Sequence, residues 1–381
     1  MSKILLVFFY GFTLCLLQAN EVKLIQVDSP AFVFSPGNWV GDEGRVGKEY
    51  RQTWNTGAYF HFEWESEKVD SKIVLKFDTS MFPNKFRKPL ISYCLDGYYR
   101  INVSVHDEVI IDSIKRSGKH KLSVYFQSSV QKERWGSKGK SGLNVVRFKG
   151  IEIAHSSKIN PKEPEPKWAM IIGDSITEGI GTTALSSYSH LIGQALSEKG
   201  YGYCISACGW SGWLNRGDNP PGDVPGYYVM KDGTYHDELS RWNKIDGNNH
   251  SLLDTKGQMS AYGKNDQQPS LIIINYGTND ILHKSNPVDT KASMEGCLEA
   301  LRKSAPDAEI VLIVPFGQYY AKDLHEAASK YDEKVSIIDL KRSAARSLSG
   351  KDQVFGGLHP NDRGHANFAV KILSKLFEIV K

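Results

Sequence analysis

The sequence has no lysine or arginine block, few cysteines, no persuasive internal repeat and no apolar run of full membrane-spanning length. Each absence excludes something. Its 47 basic and 43 acidic residues leave a formal charge of +4, spread along the whole chain. Neither a nucleic-acid stripe nor a polybasic membrane patch is expected from that pattern. Cys15 aside, four cysteines remain (Cys94, Cys204, Cys208 and Cys297), too few for a disulfide framework in a chain of 381 residues. Cys204 and Cys208 lack the spacing and the His/Cys company of a zinc site, so buried free thiols are expected. His236-Asp237 is an isolated pair and reads as surface. No metal and no cofactor is expected. The sequence gives no reading of oligomeric state.

The first twenty residues stand apart. Lys3 precedes Ile4 to Leu17, almost wholly apolar, and Gln18-Ala19-Asn20 returns to small and polar residues. The run is short of the ~20 residues a bilayer span needs. A signal peptide over residues 1–20 is expected, which places the mature chain outside the cytoplasm, secreted or periplasmic, with no stable membrane span left.

Two rhythms follow. From 21 to 154, apolar residues alternate with polar ones: Phe60, Phe62, Trp64; Ile101, Val103, Val105; Leu122, Val124, Phe126; Val146, Phe148, Ile151, Ile153. Period two at short intervals predicts an antiparallel, jelly-roll-like β-sandwich. Residues 155–167 carry three prolines and alternating charge and read as a linker. From 168 to 381 short buried runs (Trp168–Ile172, Gly202–Ile205, Leu271–Asn275, Glu309–Val314, Val335–Leu340) alternate with helical patterns (Ser187–Glu198, Ala292–Ser304, His365–Ile379). That predicts a parallel sheet between helices, a three-layer α/β/α domain with its active residues at the strands' carboxyl ends.

Four segments sit at such places: Gly173-Asp174-Ser175, Cys208-Gly209-Trp210-Ser211-Gly212, Gly277-Thr278-Asn279-Asp280 and Gly357-Leu358-His359-Pro360-Asn361. Singly, each is also ordinary turn or capping chemistry. A serine at a strand end and a histidine could form a nucleophile–base pair. Glycine N–H and asparagine amide groups are neutral donors suited to an oxyanion.

In this order the segments resemble the four blocks of the GDSL/SGNH hydrolase superfamily, whose likeness covers about residues 168–381. The resemblance implies a flavodoxin-like hydrolase fold with Ser175 as nucleophile and His359 as base. It implies an oxyanion hole from the Ser175 N–H, the Gly212 N–H (Gly209 being the second candidate) and the Asn279 amide. The family's aspartate three residues before the histidine is replaced here by Gly356. Three arrangements stay open: a Ser–His dyad oriented by a main-chain carbonyl, a carboxylate from elsewhere such as Asp352, or an impaired enzyme. The dyad is favoured, because the chain is similar to some two-domain acetyl-esterases of the second carbohydrate esterase family that have a sandwich in front, lack this aspartate and use a main-chain acceptor. The implied substrate is an acylated carbohydrate. The alternatives are a carbohydrate-binding protein with a degenerate hydrolase domain, and a lipase- or thioesterase-like hydrolase.

The stretch from Trp213 to Gln268 is long, glycine-rich and aromatic, and suits a substrate cleft. Trp213, next to Gly212, is the expected substrate contact. Asp174 and Asp280 are expected to brace their loops, and His365 to lie on a surface or cap a helix. Asn102-Val-Ser104 and Asn249-His-Ser251 match glycosylation sequons, a pattern frequent by chance.

Overall fold

The computed structural model describes residues 22–43, 46–67, 69, 71–80, 82, 88–111, 114–127, 145–215, 268–331, 334–341, 354–355 and 358–380. The expected signal peptide, residues 216–267 of the aromatic stretch with His236, Asp237 and the second sequon, and Asp352 and Gly356 lie outside these residues. No helix among the described residues is long and apolar enough to cross a membrane.

The amino-terminal half is antiparallel. Its strands are β1 (Val22–Gln26), β2 (Phe32–Phe34), β3 (Val40–Glu43), β4 (Val46–Thr53), β5 (Tyr59–Ser66), β6 (Ile73–Asp78), β7 (Leu90–Leu95), β8 (Tyr98–Ser104), β9 (Glu108–Ile111), β10 (Gly118–Gln127), β11 (Val146–Ala154) and β12 (Lys158–Ile159). One sheet runs β3-β4-β11-β6-β9 with β1 on β11, and the other β12-β5-β10-β7-β8 with β2 on β5. Alternation explains the faces: Phe60, Phe62 and Trp64 of β5 point into a core with Phe32, Phe34 and Phe148. The Phe60 and Phe148 rings stack across the two sheets at 4.3 Å. Strand β8 departs from the expected alternation. Ile101 is exposed, and Asn102 has φ +55°, which turns the strand out of register with its neighbour.

The second half is a parallel sheet of β13 (Lys167–Gly173), β14 (Tyr201–Ala207), β15 (Leu271–Asn275), β16 (Glu309–Ile313) and β17 (Val335–Ile338), in the order β14-β13-β15-β16-β17. Residues 168–173 and all of β14 and β15 are buried, because helices cover both faces. The helices are α1 (Ser175–Glu178), α2 (Tyr188–Ser197), α3 (Thr278–Leu282), α4 (Pro287–Ser304), α5 (Ala321–Ala328) and α6 (Asp362–Ile379). Helix α4 begins five residues before the apolar pattern suggested. Asn286 caps it and Pro287 takes the first turn, where a missing N–H costs nothing. The order of this sheet puts its switch point between β13 and β15, where α/β folds open a crevice.

The segment 155–167 does not merely span. Its β12 pairs with β5 of the sandwich. The halves also share cores: Tyr59 and Tyr125 from the sandwich pack with Ile171, Tyr203 and Ile205 of the parallel sheet. The Tyr203 N–H donates to the Tyr59 hydroxyl at 3.1 Å. Gln194 Nε2 donates to the Tyr125 hydroxyl at 3.1 Å and to that of Tyr203 at 3.2 Å. Tyr59 and Tyr125, which alternation alone would assign to solvent, therefore face the second half.

Candidate active site

Strand β13 ends at Gly173, and the chain turns straight into α1. A Cβ on Gly173 would lie 1.9 Å from Thr177 Oγ1 and 3.0 Å from the Asn275 carbonyl, so only glycine lets the helix fold back over the strand end. Asp174 caps α1, its carboxylate accepting from the Ile176 N–H at 2.9 Å. Burial pushes this carboxyl up to about 7, with Asp280 and Glu178 adding to the rise. Ser175 thus heads the helix, where an N–H has no intrahelical acceptor. It is 7% exposed.

His359 arrives from the other end of the chain, on β19 (His359–Pro360), a two-residue strand paired with β18 (Val354–Phe355). Its Nε2 lies 2.9 Å from Ser175 Oγ. The ring is half-buried, and that burial lowers its pKa below the ordinary imidazole value. It is therefore the neutral, proton-accepting form that the site favours near neutral pH. Among the described residues no carboxylate is ion-paired with His359.

Asn279 lies on α3 just beyond β15, the strand across the switch point from β13. One N–H of its buried amide donates to the Ser211 carbonyl at 2.8 Å, which leaves the second N–H as a donor. Gly212 departs from expectation. Its N–H donates to the Asn215 carbonyl at 3.1 Å rather than being held open for an oxyanion. Gly209, the second candidate, donates to Glu178 Oε2 at 3.0 Å. What Gly212 supplies is space: a Cβ there would lie 2.3 Å from Asp280 Oδ2. The Asp280 carboxylate accepts from the Trp213 N–H at 2.7 Å, the Leu214 N–H at 2.8 Å and the Asn215 amide at 2.9 Å. This is the bracing expected of it.

Trp213 is a correction. It is 1% exposed and packs edge-on against Tyr276 in the core, which leaves almost no surface for the substrate contact expected of it. The exposed aromatic of the same segment is Trp210, which is 52% exposed and set against His283 with ring centroids 5.2 Å apart. Its φ of +65° is unusual for a bulky residue and marks local strain of the kind that gathers at functional sites. The only sequence signal for it was its place inside the second segment. His365 is also corrected: it is fully buried, and its Nδ1 accepts from the Tyr188 N–H at 3.0 Å. Cys204, Cys208 and Cys297 are buried free thiols, whereas Cys94 is only half-buried. Among the described residues no three His, Cys, Asp or Glu side chains gather as a set of metal ligands.

Beside α1 a cleft of about 350 Å³ opens between the two halves. Glu178, Gly179, Thr182 and His190 line it from one side, and Thr56 and Gln127 from the other.

A serine hydroxyl hydrogen-bonded to an imidazole at the carboxyl edge of a parallel sheet is an arrangement suited to acyl transfer. The profile of the GDSL-like lipase/acylhydrolase family matches residues 171–366. The chain therefore belongs to that family and is an ester hydrolase by class. A search of curated protein sequences finds no match. Among solved structures, the chain is similar to an acetyl xylan esterase of the rumen bacterium Butyrivibrio proteoclasticus, with TM-score 0.66, 15% identity, and coverage of 94% of this chain and 98% of the other. A family two carbohydrate esterase of Cellvibrio japonicus gives TM-score 0.64 and 15% identity over 94% and 98%. One from Clostridium thermocellum, in complex with cellohexaose, gives 0.63 and 16% over 91% and 99%. At such identities the likeness is one of fold, and it extends through both halves.

Proposed function

We propose that the protein is an extracytoplasmic carbohydrate esterase that removes acetyl or another small acyl group from a sugar hydroxyl. In this reading Ser175 is the nucleophile and His359 the general base. Residues 21–154 form the accessory sandwich and 168–381 the hydrolase domain, with 155–167 joining them after loss of residues 1–20. The observation that carries the reading is the 2.9 Å approach of His359 Nε2 to Ser175 Oγ.

Ser175 Oγ attacks the acyl carbon while its proton passes to His359 Nε2. The oxyanion is received by the Ser175 N–H and the second N–H of Asn279. The bond to the sugar oxygen breaks as His359 returns the proton to it. Water then repeats the sequence on the acyl-enzyme, with His359 taking its proton, and the free acid leaves. What supports a sugar as leaving group is the exposed Trp210 face together with the whole-chain likeness to carbohydrate esterases. The sequence pattern of residues 1–20 supports export.

The test is acetate release from an acetylated xylo- or cello-oligosaccharide by the parent and by Ser175→Ala. Release by the variant at the parental rate removes the assignment. A fluorophosphonate probe labels a live Ser175 and leaves a degenerate hydrolase unlabelled. A preference for long acyl chains on nitrophenyl esters replaces the sugar reading with a lipase-like one.

A further inference from the structure

The base-bearing turn lacks the upstream aspartate, since Gly356 stands three residues before His359. Besides the pairing of His359–Pro360 with Val354–Phe355, an anchor comes from downstream. Asp362, three residues after His359, holds Thr183 at two points: Oδ1 accepts from the Thr183 N–H at 2.7 Å and Oδ2 from the Thr183 hydroxyl at 2.8 Å. Thr183 lies in the loop that leaves α1, the helix headed by Ser175. One turn further along α6, His365 Nδ1 accepts from the Tyr188 N–H, with the two rings nearly parallel at 13°. The Tyr188 hydroxyl is in turn within 2.6 Å of Thr177 Oγ1 and accepts from Asn275 Nδ2 at 3.2 Å. These bonds tie α6 to the nucleophile's own helix and to the end of β15.

The tether from this anchor to the imidazole is short and stiff. Pro360 restricts φ directly after His359. Asn361 then caps α6 by accepting from the Gly364 N–H at 3.1 Å. A displacement of the first turn of α6 is therefore passed on to His359 with little slack.

Resting on the assignment of Ser175 and His359, we propose that Asp362 is a positioning residue whose two-point hold on Thr183 keeps the His359 ring aligned with Ser175 in place of an aspartate at position 356. It acts through geometry rather than charge. Burial is the cause of the lowered His359 pKa, so the imidazole's titration is set by its surroundings and not by this carboxylate.

The experiment is steady-state kinetics of the full-length protein on nitrophenyl acetate, as a function of pH, for four variants beside Ser175→Ala. Asp362→Ala is expected to lower kcat about tenfold or more, as small misalignments of reacting groups do, with KM and the midpoint of the acid limb unchanged. Asp362→Asn can still accept from the Thr183 N–H while its amide donates to the Thr183 hydroxyl, so it should recover most of the rate. Thr183→Val removes one of the two bonds at an exposed position, which the fold tolerates, and should give a smaller fall. The double variant Asp362→Ala/Thr183→Val should be no slower than Asp362→Ala alone. Parental kcat in both Asp362→Ala and Thr183→Val overturns the proposal. So does a fall accompanied by a shifted acid limb, which would make Asp362 an electrostatic partner. If Asp362→Ala does not fold, Thr183→Val decides. An active Ser175→Ala removes the underlying assignment. An inactive Ser175→Ala beside a fully active Asp362→Ala removes only the positioning role.

Discussion

Replacing Asp280 with alanine strands three donors at once. In the native fold its carboxylate takes the Trp213 N–H, the Leu214 N–H and the Asn215 amide at 2.7–2.9 Å, with no other residue interposed. A buried donor left without a partner costs about 1–3 kcal/mol. Trp213 is fully buried, so its N–H bears the whole penalty, whereas Leu214 and Asn215 are half-buried and water replaces part of theirs. Removing a buried carboxylate also relieves its desolvation, which raises its pKa here. The balance is a loss of about 3–5 kcal/mol. At roughly 2 °C per kcal/mol for a chain of this length, the melting temperature should fall by about 6–10 °C. Asp280→Asn keeps one acceptor oxygen for two of the donors and turns an N–H toward the third, so its loss should be about half as large. Both variants loosen the segment whose Ser211 carbonyl orients Asn279, and kcat should fall by about ten- to a hundredfold. Differential scanning calorimetry and ester hydrolysis read the two effects. An Asp280→Ala protein that melts within a degree of the parent at full kcat would refute the reasoning, since three bonds to one buried carboxylate would then carry nothing.

Other outcomes follow from the same geometry. Because burial lowers the His359 pKa, and the base works only when neutral, kcat/KM should rise with pH along an acid limb centred below the ordinary imidazole value of about 6.5. A midpoint at or above that value contradicts the desolvation. Trp213→Phe should cost about 1–3 kcal/mol of stability through lost core packing while KM stays constant. A raised KM at unchanged stability would return Trp213 to the substrate. Trp210→Ala should raise KM for an acetylated oligosaccharide by about fivefold or more, as expected for a lost ring–sugar contact, and leave nitrophenyl acetate unaffected. Equal effects on both substrates would place Trp210 outside the sugar site.

Much of this protein was legible as pattern. Period-two alternation around Phe60, Phe62 and Trp64 marked a sandwich, because a pleated strand sends successive side chains to opposite faces. Continuous apolar runs such as Leu271–Asn275 marked a parallel sheet buried on both sides. Ser175, Asn279 and His359 could be named only through the resemblance of the four ordered segments to the GDSL/SGNH blocks, since each segment alone reads equally well as turn or capping chemistry. What pattern could not supply was distance across the chain. Only the fold brings His359 to Ser175 over 184 positions of sequence, turns Trp213 inward while Trp210 stays out, and commits the Gly212 N–H to Asn215. Only the fold turns β5's second face toward Tyr203, so that alternation read as solvent-facing became a buried seam between the halves. The physical reason is common to all of these. Local sequence sets which face a side chain takes relative to its own strand or helix, and the partner that covers that face is chosen by packing over the whole chain.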